Sequence, residues 1–307
     1  VGRNATLDYA RLIAALGIVL FHTGAPGASL GYAALPFFLM LLMLLGVTGL
    51  DRGFRDFAAT RARRLLVPWL GWSAVYGGLK LAEVALTPRS LGDEFASWML
   101  LTGPAIHLWF LPFAFVVGLL TWPLARVMRD RPLTAGTVLA AAALAMHGWR
   151  QGTALPVPAA QWAYALPAVL LGLGIGIAGT AGEGSRSGMW LALVTACVAA
   201  PVVVVSMALG WTAGLTQLTL ATTALIAGLS LRLKGTALSA AAARIALPLY
   251  LCHPMIYAAL LRLTPIEPRS TEIALATMAG SALLAMVLDR LWRGGTGQRQ
   301  DRGPGHA

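Results

Sequence analysis

The stretch LDYARLIAALGIVLFH, Leu7–His22, decides the fold class. Apart from Asp8, Arg11 and His22 it is apolar enough to enter a bilayer, and it reads as a helix. Arg11 and His22 lie eleven residues apart. That separation is about 20° past whole helical turns and ~16 Å along the axis, so both side chains project from one face. Asp8 and Arg11, spaced i,i+3, can pair on the same side. Ionisable groups inside a span are costly and face a bundle interior or a watery cavity, which makes Arg11 and His22 candidates for a site.

The rest of the 307-residue chain repeats this character: 58% of it is hydrophobic and 11% charged, with a mean hydropathy of +0.73. Soluble domains carry about a quarter charged residues. Apolar stretches near 7–25, 31–50, 65–86, 107–125, 133–149, 162–179, 189–209, 213–231, 245–262 and 272–292 predict about ten transmembrane helices. Period-2 alternation is absent, which excludes a transmembrane barrel. The expected fold is therefore all-α, a polytopic helical membrane protein.

The formal net charge of +11 reports topology rather than nucleic-acid binding. With the N-terminus in the cytoplasm, seventeen of the 23 Lys and Arg residues fall inside; Arg89, Arg150, Arg262 and Arg269 fall outside, and Arg11 and Lys80 within spans. The positive-inside rule thus places both termini in the cytoplasm. Cys197 and Cys252 sit in apolar spans, so no disulfide framework is expected. The first stretch reads as a retained span, not a cleaved signal. Residues 1–293 read as one integral membrane domain and 294–307, rich in Gly and Arg, as a disordered cytoplasmic tail. The longest loop, 87–106, is expected outside the cytoplasm.

Other polar residues stand where a bilayer disfavours them. In RARRLLVPWLGWSAVY, Arg61 and Arg64 are three apart, neighbours on a helix just inside the membrane, either topology-setting charge or a guanidinium clamp for phosphates. HLWFLPFAF, His107–Phe115, opens a span with a solvated histidine and aromatics suited to an interfacial belt. LPLYLCHP, Leu247–Pro254, sets His253 in mid-span with Tyr250 one turn away. Pro254 behind it frees a backbone carbonyl and bends the helix, a way to shape an internal site. Lys80 and Glu83, i,i+3, are expected to pair. GLGIGIAGTAG, residues 172–182, reads as close helix packing. The five histidines, His22, His107, His147, His253 and His306, lack metal-ligand spacing, so no metal is expected. Neither a phosphate-cradling P-loop nor a G-x-S-x-G elbow is present.

Taken in order, these fragments resemble the acyltransferase-3 family of integral membrane acyltransferases over almost the whole chain. Leu7, Asp8, Arg11 and His22 match its first-helix motif, Arg61 and Arg64 its R-x-x-R, and LWFLP (Leu108–Pro112) and YLCHP (Tyr250–Pro254) its later signatures. The wording RRLLVPWLGWSAVY is similar to the branch related to fucose O-acetylases. Two features depart from the family pattern. FFLMLL after Pro36 lacks the usual Ser-Gly, and Ala246 and Pro248 stand where serines often precede the late tyrosine. No appended SGNH hydrolase-like domain is expected.

The resemblance implies O-acyl transfer, commonly of acetyl, from acyl-CoA to a hydroxyl of a glycan, lipid-linked sugar or related acceptor, as in polysaccharide modification. It implies a multi-pass protein of the bacterial cytoplasmic (inner) membrane. Arg61, Arg64 and Arg11 would hold the acetyl-CoA donor. His22 would act as general base on the acceptor hydroxyl, and His253 and Tyr250 would orient the acceptor or donate to the oxyanion. The rival from another class is a small-molecule or proton-coupled transporter, which buried Arg and His also suit, although few intramembrane carboxylates and no matching broken spans accompany them. A flippase or scaffold for polysaccharide export, with structural histidines, is the third reading.

Overall fold

The computed structural model describes residues 4–47, 49–50, 53–181 and 187–300, with side chains to residue 292. Arg3, Arg52, Arg186 and Arg302 of the charge bias, Gly182 of the glycine run, and 301–307 of the expected tail lie outside the described residues. The helices are α1 Ala5–Thr23, α2 Ala28–Gly31, α3 Ala34–Val47, α4 Phe54–Leu86, α5 Leu91–Glu94, α6 Met99–Thr102, α7 Phe110–Met128, α8 Pro132–Gln151, α9 Ala159–Ala178, α10 Gly188–Ala208, α11 Leu215–Ser230, α12 Ala237–Leu263 and α13 Thr271–Gln300, with a 3₁₀ turn at Ile106–Trp109 before α7. No strand occurs among the described residues.

Each expected apolar stretch coincides with a helix, and seven are long and apolar enough to cross a membrane: Ala5–Thr23, Ala28–Val47, Ile106–Met128, Ala159–Ala178, Gly188–Ala208, Ala237–Leu263 and Thr271–Trp292. The other three are α4, α8 and α11. Charge is the reason in α4, where Arg61, Arg63 and Arg64 precede the apolar run and Lys80 and Glu83 interrupt it. Alanine dominates α8, and α11 has only 16 residues with four threonines among them.

The described residues form two compact units, 35–230 and 4–34 with 231–300. In the first, α3 and α9 are the most buried helices: Leu39, Met40, Met43 and Leu44 of one and Leu171, Ile175 and Ile177 of the other are sealed from solvent. Glycine permits this approach. A Cβ on Gly172 would stand 2.5 Å from the Met40 Cα, and one on Gly176 would stand 2.7 Å from the Val47 Cγ2. A Cβ on Gly174 would lie 3.1 Å from that of Leu139 on α8. The glycine run is therefore the packing seam that its sequence suggested.

The loop after α4 corrects two expectations. Lys80 pairs not with Glu83 but with Glu94, at 2.8 Å, and Arg89 takes Glu94 at 2.6 Å and Glu83 at 3.3 Å. Glu94 thus bridges the helix to its own loop and is buried. The Lys80 and Arg89 hydrogen bonds hold its carboxyl below the usual range. His107 and Trp109 are not solvated belt residues: both are buried, His107 edge-on to Tyr76 at 5.1 Å between ring centres and Trp109 against Phe113 at 5.4 Å. The 3₁₀ turn folds them inward before α7 begins.

The second unit brings the two ends of the chain together. Asn4 caps α1, its Oδ1 accepting from Thr6 N at 2.9 Å and Leu7 N at 3.3 Å. Gly24 ends the helix in the left-handed conformation with φ 66°, where glycine is unstrained. Near the start of α1, the Thr6 hydroxyl donates to the Leu231 carbonyl and accepts from Leu233 N, while the Tyr9 hydroxyl meets that of Thr236, the N-cap of α12. Near its end, the Tyr257 hydroxyl donates to the Thr23 carbonyl. α1 and α12 therefore run in the same direction. Arg244–Asp289 and Cys252–Ser281 contacts show α13 running back along α12.

Candidate active site

The chemistry begins with a missing donor. Proline has no N–H, so Pro254 leaves the carbonyl four residues earlier, that of Tyr250, outside the helical ladder. His253 takes it: Nδ1 lies 2.6 Å from the Tyr250 oxygen. A carbonyl oxygen only accepts, so Nδ1 carries the proton and a neutral ring keeps its lone pair on Nε2. The His-Pro dipeptide thus fixes the tautomer of a histidine that is fully buried. Tyr250 contributes this carbonyl, and its ring lies 5.9 Å from that of His253.

His22 completes a pair. Its ring centre is 5.0 Å from that of His253, the two planes tilted by 40°. It occupies the last turn of α1. Phe21 stands edge-on to it at 5.1 Å and stacks on Tyr32 at 4.1 Å, which walls the pair on one side. Two imidazoles at this spacing, one with a defined basic nitrogen, can take a proton from a weakly acidic hydroxyl and return it.

The arginines are placed differently. Arg11 lies in the same unit as the histidines, near the opposite end of α1, with Nη1 3.2 Å from Asp8 Oδ1; Asp8 is buried and the Arg11 side chain 31% exposed. Arg61 and Arg64 belong to the other unit and do not behave as a matched clamp: Arg64 is exposed, whereas Arg61 is half-buried. The Arg61 guanidinium lies 4.6 Å from the Phe57 ring centre and fills the space left by the absent side chains of Gly46 on α3 and Gly118 on α7. Its Nη1 is buried without a hydrogen-bond partner. A cation so held is destabilising alone and favours an anionic partner.

Two residues at the end of α1 that carries His22 were not singled out in the sequence. Tyr257 follows His253 by one turn and ties α12 to the end of α1. Arg269, from the loop between α12 and α13, lays its side chain over Gly24, with Cγ 3.2 Å from the position a Cβ would take there. His147 serves structure: its Nε2 meets the Trp211 carbonyl at 3.2 Å, and neighbouring Arg150 and Gln151 both donate to that of Ala213. Among the described residues no cluster of three or more His, Cys, Asp or Glu side chains is arranged to hold a metal ion.

Residues 4–290 match a family model described as an acyltransferase domain, that of acyltransferase-3. No curated protein and no solved structure matches the chain.

Proposed function

The chain belongs to the acyltransferase-3 family and is a membrane acyltransferase, and on that premise we propose that it moves an acetyl group from acetyl-CoA to a hydroxyl of a glycan or lipid-linked sugar. The observation that carries this reading is the histidine pair, with buried His253 locked by the Tyr250 carbonyl and half-buried His22 5.0 Å away. His22 is the general base and His253 its partner, Nε2 receiving a hydrogen bond from the His22 ring or the acceptor. As the acceptor oxygen bonds to the thioester carbonyl carbon, its proton passes to His22. The tetrahedral oxyanion then collapses, the carbon–sulfur bond breaks, and the CoA thiolate takes the proton from the imidazolium. The products are an ester and CoA, with no net change in protons on the enzyme. Base catalysis of this kind contributes about 10²–10⁴ in rate.

The donor's phosphates are assigned to Arg61 and Arg64, and Arg11, in the unit of the histidines, is assigned to the donor separately. The unsatisfied Nη1 of Arg61 supports that role, because a phosphate oxygen supplies what the protein does not.

The test is CoA release from acetyl-CoA by the purified protein with a cell-envelope glycan extract. Wild type is expected to need the extract, and His22→Ala and His253→Ala to lose at least a hundredfold in turnover while still binding CoA. Full release by both variants, or net solute transport without thioester cleavage, would overturn the reading and favour a transporter.

A further inference from the structure

We propose that Arg269 is an anion subsite for the acceptor, so that the molecule acylated carries a carboxylate or phosphate near its reactive hydroxyl. The inference rests on the reading of the histidine pair as the acyl-transfer site. Three elements meet at that end of the unit: the close of α1 with His22, Thr23 and Gly24, the part of α12 with His253 and Tyr257, and the loop leading to α13. Arg269 extends from this loop across Gly24, its Nε 3.7 Å from the Cβ position there. His22 is two residues from Gly24, a span of at most about 7 Å. The exposed Arg269 side chain therefore lies at the end of α1 that carries His22.

Two features set Arg269 apart from ordinary surface charge. Its φ is 63°, and it is the one non-glycine residue with positive φ among the described residues. An L side chain is strained in that region, where glycine fits freely. The facing Gly24 is also left-handed, and a Cβ there would stand 3.2 Å from the Arg269 Cγ, a tight contact. The chain thus holds a bulky cation in a conformation suited to glycine, opposite a glycine that makes room for it. Its structural uses are already served. Near the end of α1, the Gly24 N–H bonds to the Phe21 carbonyl, the Thr23 hydroxyl to that of Leu20 and the Tyr257 hydroxyl to that of Thr23. Arg269 makes no hydrogen bond or ion pair with any described residue. A planar, always-charged fork left free at the end of the unit that carries the proton-transfer pair suits a carboxylate or phosphate, and would orient the acceptor as well as attract it. Arg269 is accordingly a specificity residue, separate from the donor arginines.

The experiment uses the full chain, labelled acetyl-CoA and an envelope extract divided by anion exchange into retained and unretained fractions. Label is expected in the retained, anionic fraction. Arg269→Gly relieves the backbone strain, so its melting midpoint should equal or exceed wild type. Transfer should nevertheless fall at least tenfold, through the acceptor's KM with the donor's KM unchanged, and Arg269→Lys should recover part of it. Equal labelling of the neutral fraction, or undiminished transfer by Arg269→Gly, overturns the subsite and leaves the histidine chemistry standing. Absence of His22-dependent transfer to either fraction overturns both.

Discussion

At the scale of the residue, Pro254 is the most informative position. Its substitution separates stability from chemistry. In Pro254→Ala the restored N–H competes with His253 Nδ1 for the Tyr250 carbonyl. A proline inside a helix costs up to about 3 kcal/mol relative to alanine, so the variant should melt above wild type. Turnover should fall at least tenfold, because a His253 released from the carbonyl no longer has a fixed tautomer or ring plane. Parallel melting and CoA-release assays check it; a more stable variant with full activity would sever the proline from the mechanism. The His-Pro pair was legible in the sequence because the consequence of a proline is local, four residues back along the helix. The part played by Tyr250 was less so, since a sequence shows a phenol and the structure uses its carbonyl. His107 and Trp109 were misread for a related reason: a span boundary in one dimension does not reveal a turn that folds its residues inward.

At the scale of the element, two contacts carry opposite dependences. The α3–α9 seam rests on shape. Gly172→Val places a branched side chain against the Met40 backbone, and overpacking of this kind costs about 1–3 kcal/mol. Gly71→Ala, on α4 with open space around it, removes a helical glycine and should be neutral or stabilising by up to about 1 kcal/mol. Melting midpoints that move in opposite directions are the expected result, and equal losses would mean that glycine matters for something other than the seam.

The loop after α4 rests on charge. Because the folded protein holds the Glu94 carboxyl below its ordinary value, through Lys80 and then Arg89, the contribution is complete above about pH 4.3 and fades as pH falls through the lower folded value. Amide exchange across 87–106 should therefore be flat from pH 7 to 5, after correction for intrinsic rates, and accelerate only below that window. Glu94→Gln should show the fast behaviour already at pH 7. The sequence placed all four charges near one another but paired Lys80 by helical spacing alone. A buried carboxylate reached by a loop outcompetes a half-buried neighbour one turn away, and only the chain's return after α4 reveals it.

At the scale of the whole molecule, helix directions constrain the membrane topology more tightly than apolar length does. α1 and α12 are both candidate spans and run in the same direction, which requires an odd number of crossings between them. The candidates in between number four: Ala28–Val47, Ile106–Met128, Ala159–Ala178 and Gly188–Ala208. Four is even, so if all four cross, one or all of α4, α8 and α11 must cross as well. All three crossing gives the ten spans and the cytoplasmic termini expected from the charge bias. Their composition obscures them for physical reasons: a lysine and glutamate with partners within the protein, an alanine-rich surface, and threonines whose hydroxyls bond back to their own helix, as Thr219 does to Leu215 and Thr222 to Leu218. The expected outcome can be read with impermeant labels on single cysteines introduced into a cysteine-free background. Positions at 53, 130 and 235 should share the side of the N-terminus, and positions at 90, 154, 212 and 267 the opposite side. Sites 53 and 90 on one side would remove α4 from the membrane, and the parity would then leave either α8 or α11 as the crossing helix. Sites 235 and 267 on one side would be fatal to a transmembrane α12, and with it to a histidine pair buried in the bilayer.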